Sequence, residues 1–461
     1  MASNTVSTTS TVISDLSNGT NYDGLLKDIY LPGLTDTTYN DPSFSAQIMR
    51  SSDQIDYSGQ RIKRAFKTQR AGGSGAIAEG GDFVTSVPQA GKQGYEQLKY
   101  LNAYFSLTGP TIEAAEQGQG SFVDVVNDSF SDMMTNAQND FERQIMGAQD
   151  GRIAIMQEAS STDETLSVSG DAYFDTQFVM DGQLHEVIDP ITATAGEYTT
   201  KLWNATDYEF SVASHTQGSK TTGGTSYGTI IIDGTATGAG ATTYIEISDW
   251  LIRANSYKSG LTGSHNCLEI NGMQNLISDG STTAGSVIET TPNFLNSWNL
   301  SRSTYPYLAS AVRNVNAELD EEILLSYLLD AKYQIQMDPN MLLVSPRAIL
   351  KYFTNTKDDR RFNTMTAMEW VGGYTGLGIQ LGEKRLMLAS VGSMHNNMGF
   401  LMNTADFAFA SMTNGYKWLN QGGRILTQKE GSDAQFATAV DYMNFVCNNP
   451  RKQLKMYNIT V

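Results

Sequence analysis

The four histidines of this 461-residue chain, His185, His215, His265 and His395, are the side chains best suited to acid–base or metal chemistry near neutral pH. They are scattered. No His-x-x-x-His pair exists that a helix would aim at one ion, so isolated core or surface histidines are expected. Acids gather at Glu318, Asp320, Glu321 and Glu322. At the first turn of a helix such acids complement the backbone dipole, which explains them without a metal. The Gly91-Lys92 pair in "PQAGKQG" falls short of a phosphate-binding loop. That loop needs glycine at position 86, where Ser86 stands, and Ser or Thr at 93, where Gln93 stands. "GLGIQLG" lacks the G-x-G-x-x-G spacing, and "GGSGA" is not a nucleophile elbow. Cys267 and Cys447 lie far apart, which is neither a disulfide framework nor a zinc pattern, and a reducing compartment is the simplest setting. The expectation is a chain with no catalytic residues, no metal and no cofactor, not an enzyme.

One charge feature stands out. "RIKRAFKTQR" carries Arg61, Lys63, Arg64, Lys67 and Arg70 within ten residues, on a chain whose net charge is -18. Binding nucleic acid over the whole surface would need an excess of Lys and Arg, so the overall charge argues against it. The basic stretch reads as a solvated face, as a local contact with nucleic acid, or as a surface that docks onto an acidic patch of another copy, where such pairs set register more than they add affinity.

The surrounding elements give that stretch its setting. "AGGSGAIAEGGD" follows it, too glycine-rich for regular structure, with Gly72, Gly73, Gly75, Gly80 and Gly81 as candidate bending points. Beyond "FVTSVPQAGKQG" comes a strand. By period-two alternation Leu101, Ala103, Phe105 and Leu107 share one face, and Tyr100, Asn102, Tyr104 and Ser106 the other. Two strands about a flexible tip predict a long hairpin over about fifty residues, an excursion longer than ordinary hairpin loops. A helix is expected from Ser121, with Ser121 as cap, Asp124 at the positive dipole end and Gly147 as stop. Its stripe is Phe122, Val126, Phe130, Met133, Ala137, Phe141 and Ile145, and its length is roughly 39 Å. Residues 160–250 alternate short β-prone runs with Gly, Thr, Ser and Asp clusters, which predicts a small inserted β unit. "NAELDEEILLSYLLDAKYQ" predicts a helix with a stripe of Leu319, Ile323, Tyr327 and Ala331. "MLLVSPRAILKYF" predicts a buried strand, then a helix with Ser345 as cap and Pro346 at its first position. Short strands follow at "GIQLG", "RLMLASV" and "MGFLMN", and the β-rich C-terminal run is expected to return beside the long helix.

Charged residues make up 17% of the chain, below the roughly 25% usual for soluble proteins, which fits surfaces that end in contacts. "MASNTVSTTSTVISDLSNGT" has no basic n-region and no apolar h-region, so it reads as a mobile tail or as an arm that orders on a neighbour rather than as a secretory signal. No run of eighteen apolar residues occurs, and no membrane partner is expected.

In combination and order, several segments resemble the major capsid proteins of tailed bacteriophages with the Hong Kong 97-type fold. "PQAGKQGYEQLKYLNAYFSLTGPTIEAA" is similar to the returning strand of that family's extended loop. "GSFVDVVNDSFSDMMTNAQNDFERQIMGAQDG" is similar to its spine helix, with the run Asp140-Phe141-Glu142-Arg143-Gln144. "SRSTYPYLAS" resembles the segment that re-enters the peripheral domain, "DPNMLLVSPRAILKYF" and "DDRRFN" resemble the axial domain, and "FVCNNPRKQLKMYNITV" resembles the closing strand. Together these cover roughly three quarters of the chain, with 160–250 matching least well.

The resemblance implies an α+β capsid fold. Its parts would be an N-terminal arm (1–58), an extended β-hairpin loop (59–112), a peripheral domain with the spine helix (113–159 and 251–312), the inserted β subdomain (160–250), an axial domain (313–435) and a peripheral closing strand (436–461). It implies pentamers and hexamers of an icosahedral virion shell around double-stranded DNA, held without sequence-specific binding and assembled in the host cytoplasm. Partners would be many copies of the chain itself, separate scaffolding and portal proteins, and decoration proteins. Candidate subunit-interface residues are Arg61, Lys63, Arg64, Lys67, Arg70, the five tip glycines, Tyr100 and Tyr104. Rival readings are a tail or decoration protein of a virion, an exported surface-layer protein, and a carbohydrate-active enzyme with carboxylates in the β region.

Overall fold

The computed structural model describes residues 53–56, 61–111, 125–157, 165–168, 176–189, 199–201, 209–216, 219–221, 224–226, 228–233, 245, 247, 249–254, 256, 267–280, 296–335, 338–355, 367–369, 375–381, 384–412, 415–419, 426–428 and 431–460. Three large sheets and a two-stranded ribbon account for most of the strands.

The first sheet is organised by the strand Gln435–Cys447, the longest in the molecule's described part. Lys99–Leu107 runs antiparallel along it, from Lys99 opposite Met443 to Leu107 opposite Gln435. Phe407–Ser411 pairs with its C-terminal half, and Asp53–Asp56 lies parallel to Phe407–Ser411 at the edge. One face is covered by the long helix Val125–Met146, through Met133 against Ala103 and Ala439. Phe130 packs edge-on to Phe105 and to Trp418, with ring centroids 4.8 and 4.9 Å apart. The helix buries Met133, Phe141 and Ile145 from the expected stripe and half-buries Phe130 and Ala137. Ser121, Phe122 and Asp124 lie outside the described residues. The C-terminal run does return beside the helix, since Ala439 is one of its contacts.

The second sheet is an antiparallel set in the order Arg152–Ile155, Trp250–Arg253, Leu184–Asp189, Glu209–Thr216, Gly228–Asp233, Thr165–Val168. Its ends meet. Met156 bridges Val168, and the Gln157 N–H donates to the Ser167 carbonyl at 3.0 Å. The set is therefore a closed small barrel, lined by Leu166, Val168, Val187, Phe210, Val212, Ile230, Ile232 and Trp250, all buried. Closure removes the exposed edges that a ninety-residue β insertion would otherwise carry. The barrel takes one strand, Arg152–Ile155, from before the segment expected to form the β unit.

The third sheet has the order Ala311–Glu318, Leu454–Thr460, Gly399–Met402, Met341–Val344, Lys384–Ser390, Thr375–Leu381, Ala367–Glu369. Helices Glu321–Ile335 and Pro346–Asn355 pack on it through Leu324, Leu328, Ala348 and Tyr352. Ser345 caps the second helix as expected, its hydroxyl accepting the Ala348 N–H at 3.2 Å. The first helix differs from the sequence reading. Asn316–Glu318 belong to a strand, the helix starts at Glu321, and its fully buried stripe is Leu324 and Leu328, one position on from Ile323 and Tyr327, which are half-buried. Strand pairing wins there because Ala311–Glu318 docks parallel to Leu454–Thr460.

Strands on either side of position 435 share sheets: Phe407–Ser411 joins the first, and Leu454–Thr460 joins the third. No described helix is long and apolar enough to cross a membrane.

Candidate assembly surface

The basic stretch forms the strand Arg61–Gln69, which pairs antiparallel with Ala90–Gln97, from Arg61 opposite Gln97 to Lys67 opposite Gly91. The pairing extends outward through Gly72 and Val87, which exchange both backbone hydrogen bonds at 3.1 and 2.6 Å. Every residue from Gln69 to Gln93 is exposed, so this ribbon stands clear of the described body. The hairpin is shorter than its sequence predicts. Lys99–Leu107 does not pair with Arg61–Gln69, because its buried Leu101 and Ala103 draw it into the first sheet.

At the ribbon's foot sits Trp298, buried and with φ of 53°. Trp298 and Asn299 (φ 54°) form the two-residue turn between Ser297 and Leu300, where a bulky side chain at positive φ is unusual. Several bonds hold it there. Its backbone N–H donates to Glu96 Oε1 at 2.7 Å, its carbonyl accepts the Tyr95 N–H at 3.0 Å, and its indole N–H donates to the Cys447 carbonyl at 2.9 Å. Phe66 meets the indole edge-on, 5.7 Å between centroids. A Cβ at Gly94 would stand 2.7 Å from the Trp298 Cβ, so the strand can cross the tryptophan only as glycine. Burial raises the Glu96 carboxyl above the ordinary range, against the lowering effect of its Trp298 bond.

The five basic residues do not share one face. Arg61, Lys63 and Lys67 alternate on the exposed side, with the Arg61 guanidinium 4.8 Å over the Tyr95 ring, and Arg70 lies at the start of the tip. Arg64 points the other way and donates to Asn448 Oδ1, which ties the ribbon to the body. Gly72, Gly73, Gly75, Gly80 and Gly81 all lie in the exposed tip. Gly80 (φ 78°) closes a turn in which the Gly81 N–H donates to the Ala78 carbonyl at 2.9 Å. The tip also carries exposed apolar side chains that sequence reasoning passed over: Ile77, Val84, Val87 and Phe83, the last 89% exposed. The signal available for Phe83 was a lone aromatic inside a glycine-rich run. Tyr100 and Tyr104 lie elsewhere, on the face of the first sheet opposite the long helix, against Tyr442 and Phe436.

The foot of the long helix is built in the opposite way. Arg143 is buried, pairs with Asp140 at 3.0 Å and with Glu269, and donates to the Arg152 carbonyl at 3.2 Å. Arg253 reaches the same Asp140 at 2.9 Å. Arg152 pairs with Asp150 at 2.8 Å and lies 4.3 Å over the Trp250 ring. The two cations Arg253 and Arg143 hold the Asp140 carboxyl below its usual range despite burial, and burial raises that of Glu269. Gln144 bonds Asp140 and receives the Ile270 N–H, while Gln274 donates to the Met146 carbonyl at the helix end. Helix, barrel and the 267–278 segment are thereby locked together.

Among the described residues the histidines are not assembled into a site. His185 is buried, stacked on Phe210, and burial lowers its pKa to about 4; His395 is buried and lowered to about 3 for the same reason. His215 pairs with Asp181 at 2.8 Å on the barrel surface, and His265 lies outside the described residues. Among the described residues no three His, Cys, Asp or Glu side chains gather as a metal site would require.

No family model and no curated protein matches the sequence. The capsid asymmetric unit of cyanophage A-1(L) matches with a TM-score of 0.53 at 9% identity, covering 95% of this chain and 98% of that one. The capsid of a native GTA particle matches at 0.44 and 6% identity over 97% and 99%, and the holo-SrpI encapsulin of Synechococcus elongatus PCC 7942 at 0.43 and 7% over 95% and 93%. At such low identity the first of these likenesses is one of fold: the chain has the mixed α+β fold of a phage capsid protein.

Proposed function

We propose that this protein is the major capsid protein of a tailed phage, forming pentamers and hexamers of an icosahedral head that encloses double-stranded DNA. In Hong Kong 97 terms, residues 1–58 are the arm, 59–112 the extended loop, 113–159 and 251–312 the peripheral domain with Val125–Met146 as spine, 160–250 the insertion, 313–435 the axial domain and 436–461 the closing strand. Separate scaffolding, portal and decoration proteins, and assembly in the host cytoplasm, belong to the same reading.

The observation that carries it is the ribbon. A limb clamped at its foot by Trp298, yet exposed from Gln69 to Gln93 and tipped by Phe83, leaves that tip uncovered by the described residues of its own chain. Exposed apolar groups on a rigid arm are stabilised by covering them, and a sibling molecule supplies that cover. Such a contact is heterologous: limb of one copy, body of the next. Repeated under rotation it closes rings. Lys63, Lys67 and Arg70 would fix register against an acidic neighbour, and Tyr100 and Tyr104 would be buried in the particle. Each contact is modest, but every subunit makes several, so the shell persists. The chain's low charge fraction fits surfaces that become interfaces, and an acidic subunit would hold packaged DNA loosely.

The test is deletion of residues 71–81. All are exposed, so the variant should stay folded and soluble while shells or capsomers, scored by electron microscopy and sedimentation, fall at least tenfold. Unchanged assembly would remove the ribbon from the mechanism. A wild-type chain that stays monomeric beside its cognate scaffold would remove the capsid reading itself.

A further inference from the structure

The ribbon's foot rests where three neighbouring strands of the third sheet begin or end. Ala311–Glu318, Leu454–Thr460 and Gly399–Met402 are consecutive in that sheet. The chain reaches the first of them from Trp298 through Ser310, whose hydroxyl donates to the Pro450 carbonyl at 2.6 Å, and the Ala311 N–H donates to the Gln453 carbonyl at 3.1 Å. It reaches the second from Cys447, the acceptor of the Trp298 indole, through Asn448 and the short turn Pro450–Lys452. It leaves the third through the turn Thr404–Asp406 and enters the first sheet at Phe407. Asp406 lashes the last two passages together. Its carboxylate accepts from Asn449 Nδ2 at 2.6 Å and from Gln453 Nε2 at 3.0 Å, and its carbonyl accepts the Asn448 N–H at 2.7 Å. Gln453 Oε1 in turn accepts the Asn403 N–H at 2.9 Å. Into this knot the ribbon sends the Arg64 guanidinium, which donates to Asn448 Oδ1, both residues being half-buried.

We infer that Arg64 and Asn448 are positioning residues that couple the ribbon's direction to the third sheet. The two ribbon strands are anchored differently. Ala90–Gln97 runs on into the first sheet with Leu98 alone between it and Lys99–Leu107. Arg61–Gln69 pairs with Ala90–Gln97 and, among the described residues, with no strand of the body. Ile62 and Phe66 give it apolar contact with Trp298, Ala408 and Val446. Such contact is non-directional and permits sliding. A charge-assisted hydrogen bond weakens steeply when bent, so the bond from Arg64 sets an angle that apolar packing leaves open. Asn448 is held at both ends, its N–H by Asp406 and its side chain by Arg64. A swing of Arg61–Gln69 therefore pulls on Pro450–Lys452, and through Asp406, Gln453 and Ser310 on the roots of all three strands. The coupling belongs to the single subunit. In the assembly reading it means that a neighbour gripping the ribbon also fixes the tilt of the third sheet.

Hydrogen exchange of the full-length, unassembled chain, read by mass spectrometry, tests this. Arg64→Ala should speed exchange about threefold or more in peptides covering 403–406, 449–453 and 310–312, beyond the residue that Arg64 bonds, while peptides of the barrel stay as in the wild type. Asn448→Ala added to Arg64→Ala should add little, because both remove the same bond. Asn448→Asp keeps an acceptor for Arg64 and should exchange no faster than the wild type in those peptides. Faster exchange confined to 61–97, an equal rise in the barrel, additive effects of the two alanines, or an Asn448→Asp chain that exchanges like Arg64→Ala overturns the inference. All of these are read on a subunit that has not assembled, so the coupling and the capsid reading fail separately.

Discussion

The ribbon and the foot of the long helix carry similar charged residues and use them in opposite ways. At the helix foot every described guanidinium meets a carboxylate, a carbonyl or an aromatic ring, and Arg143, Arg152, Asp150 and Glu269 lie out of water. On the ribbon Lys63, Lys67 and Arg70 stand in solvent and make no ion pair among the described residues. A buried network fixes geometry within a chain, because leaving any one member unpaired is costly. Exposed charges cost the chain almost nothing and add almost nothing until a partner arrives. The molecule thus separates a part that must never move from a part left unsatisfied.

Substitutions should respect that divide. The largest effect on folding is expected from Arg143→Ala, which strands Glu269 and weakens Asp140 in a buried site. The loss should be about 3–5 kcal/mol in chemical denaturation of the unassembled subunit. A loss under about 1 kcal/mol would mean that the network is ornamental. Trp298→Ala comes next, at about 3 kcal/mol. Its signature should be local: protease cutting inside 61–97 should rise more than cutting in the third sheet, since the indole's bond to the Cys447 carbonyl and its edge-on contact with Phe66 go with it.

The barrel beside the helix foot also imposes a pH dependence. His185 has a pKa lowered to about 4 by burial, with the nearby Arg253 acting in the same direction, against 6.5 when unfolded. Between those values the unfolded chain takes up a proton that the folded chain refuses. Stability should therefore fall as pH drops from about 6.5 toward about 4, by about 3 kcal/mol from this residue. His395, lowered to about 3, adds in the same sense. Unfolding free energies at pH 7 and 4.5 should show the drop, and His185→Gln should remove part of it. An equal slope in that variant would assign the acid sensitivity elsewhere.

How much of this was legible in the sequence follows the same divide. Local pattern was enough for the Leu101/Ala103 alternation, the Met133–Ile145 stripe and the Ser345 cap, because each depends on residues close in sequence. Pairing choices were not. Nothing within Lys99–Leu107 says that its partner is Gln435–Cys447 rather than the basic strand upstream, and nothing in 160–250 says that Arg152–Ile155 closes its barrel. The clamp was hidden for a further reason: Trp298 is the kind of residue that a tight turn disfavours, and contacts with Tyr95, Glu96 and Cys447, about 150 to 200 residues away, hold it there. The basic stretch was read as one feature, but strand alternation turns Arg64 inward onto Asn448.

The smallest folding effect, and the one that bears most directly on the comparison, is expected at the tip. Phe83 is 89% exposed, so Phe83→Ser should change unfolding free energy by less than about 0.5 kcal/mol, and Lys63→Glu with Lys67→Glu by no more. If the ribbon is kept unsatisfied for a neighbour, both variants should nonetheless lower the yield of assembled particles several-fold under conditions where the wild type assembles. The charge reversal should lose its effect at high salt, where exposed charges are screened, and Phe83→Ser should not. A Phe83→Ser subunit that unfolds more easily would show that the tip already serves its own chain. One that folds and assembles like the wild type would leave the ribbon's exposure without a physical reason, and with it the idea that this fold keeps its rigid and its reaching parts separate.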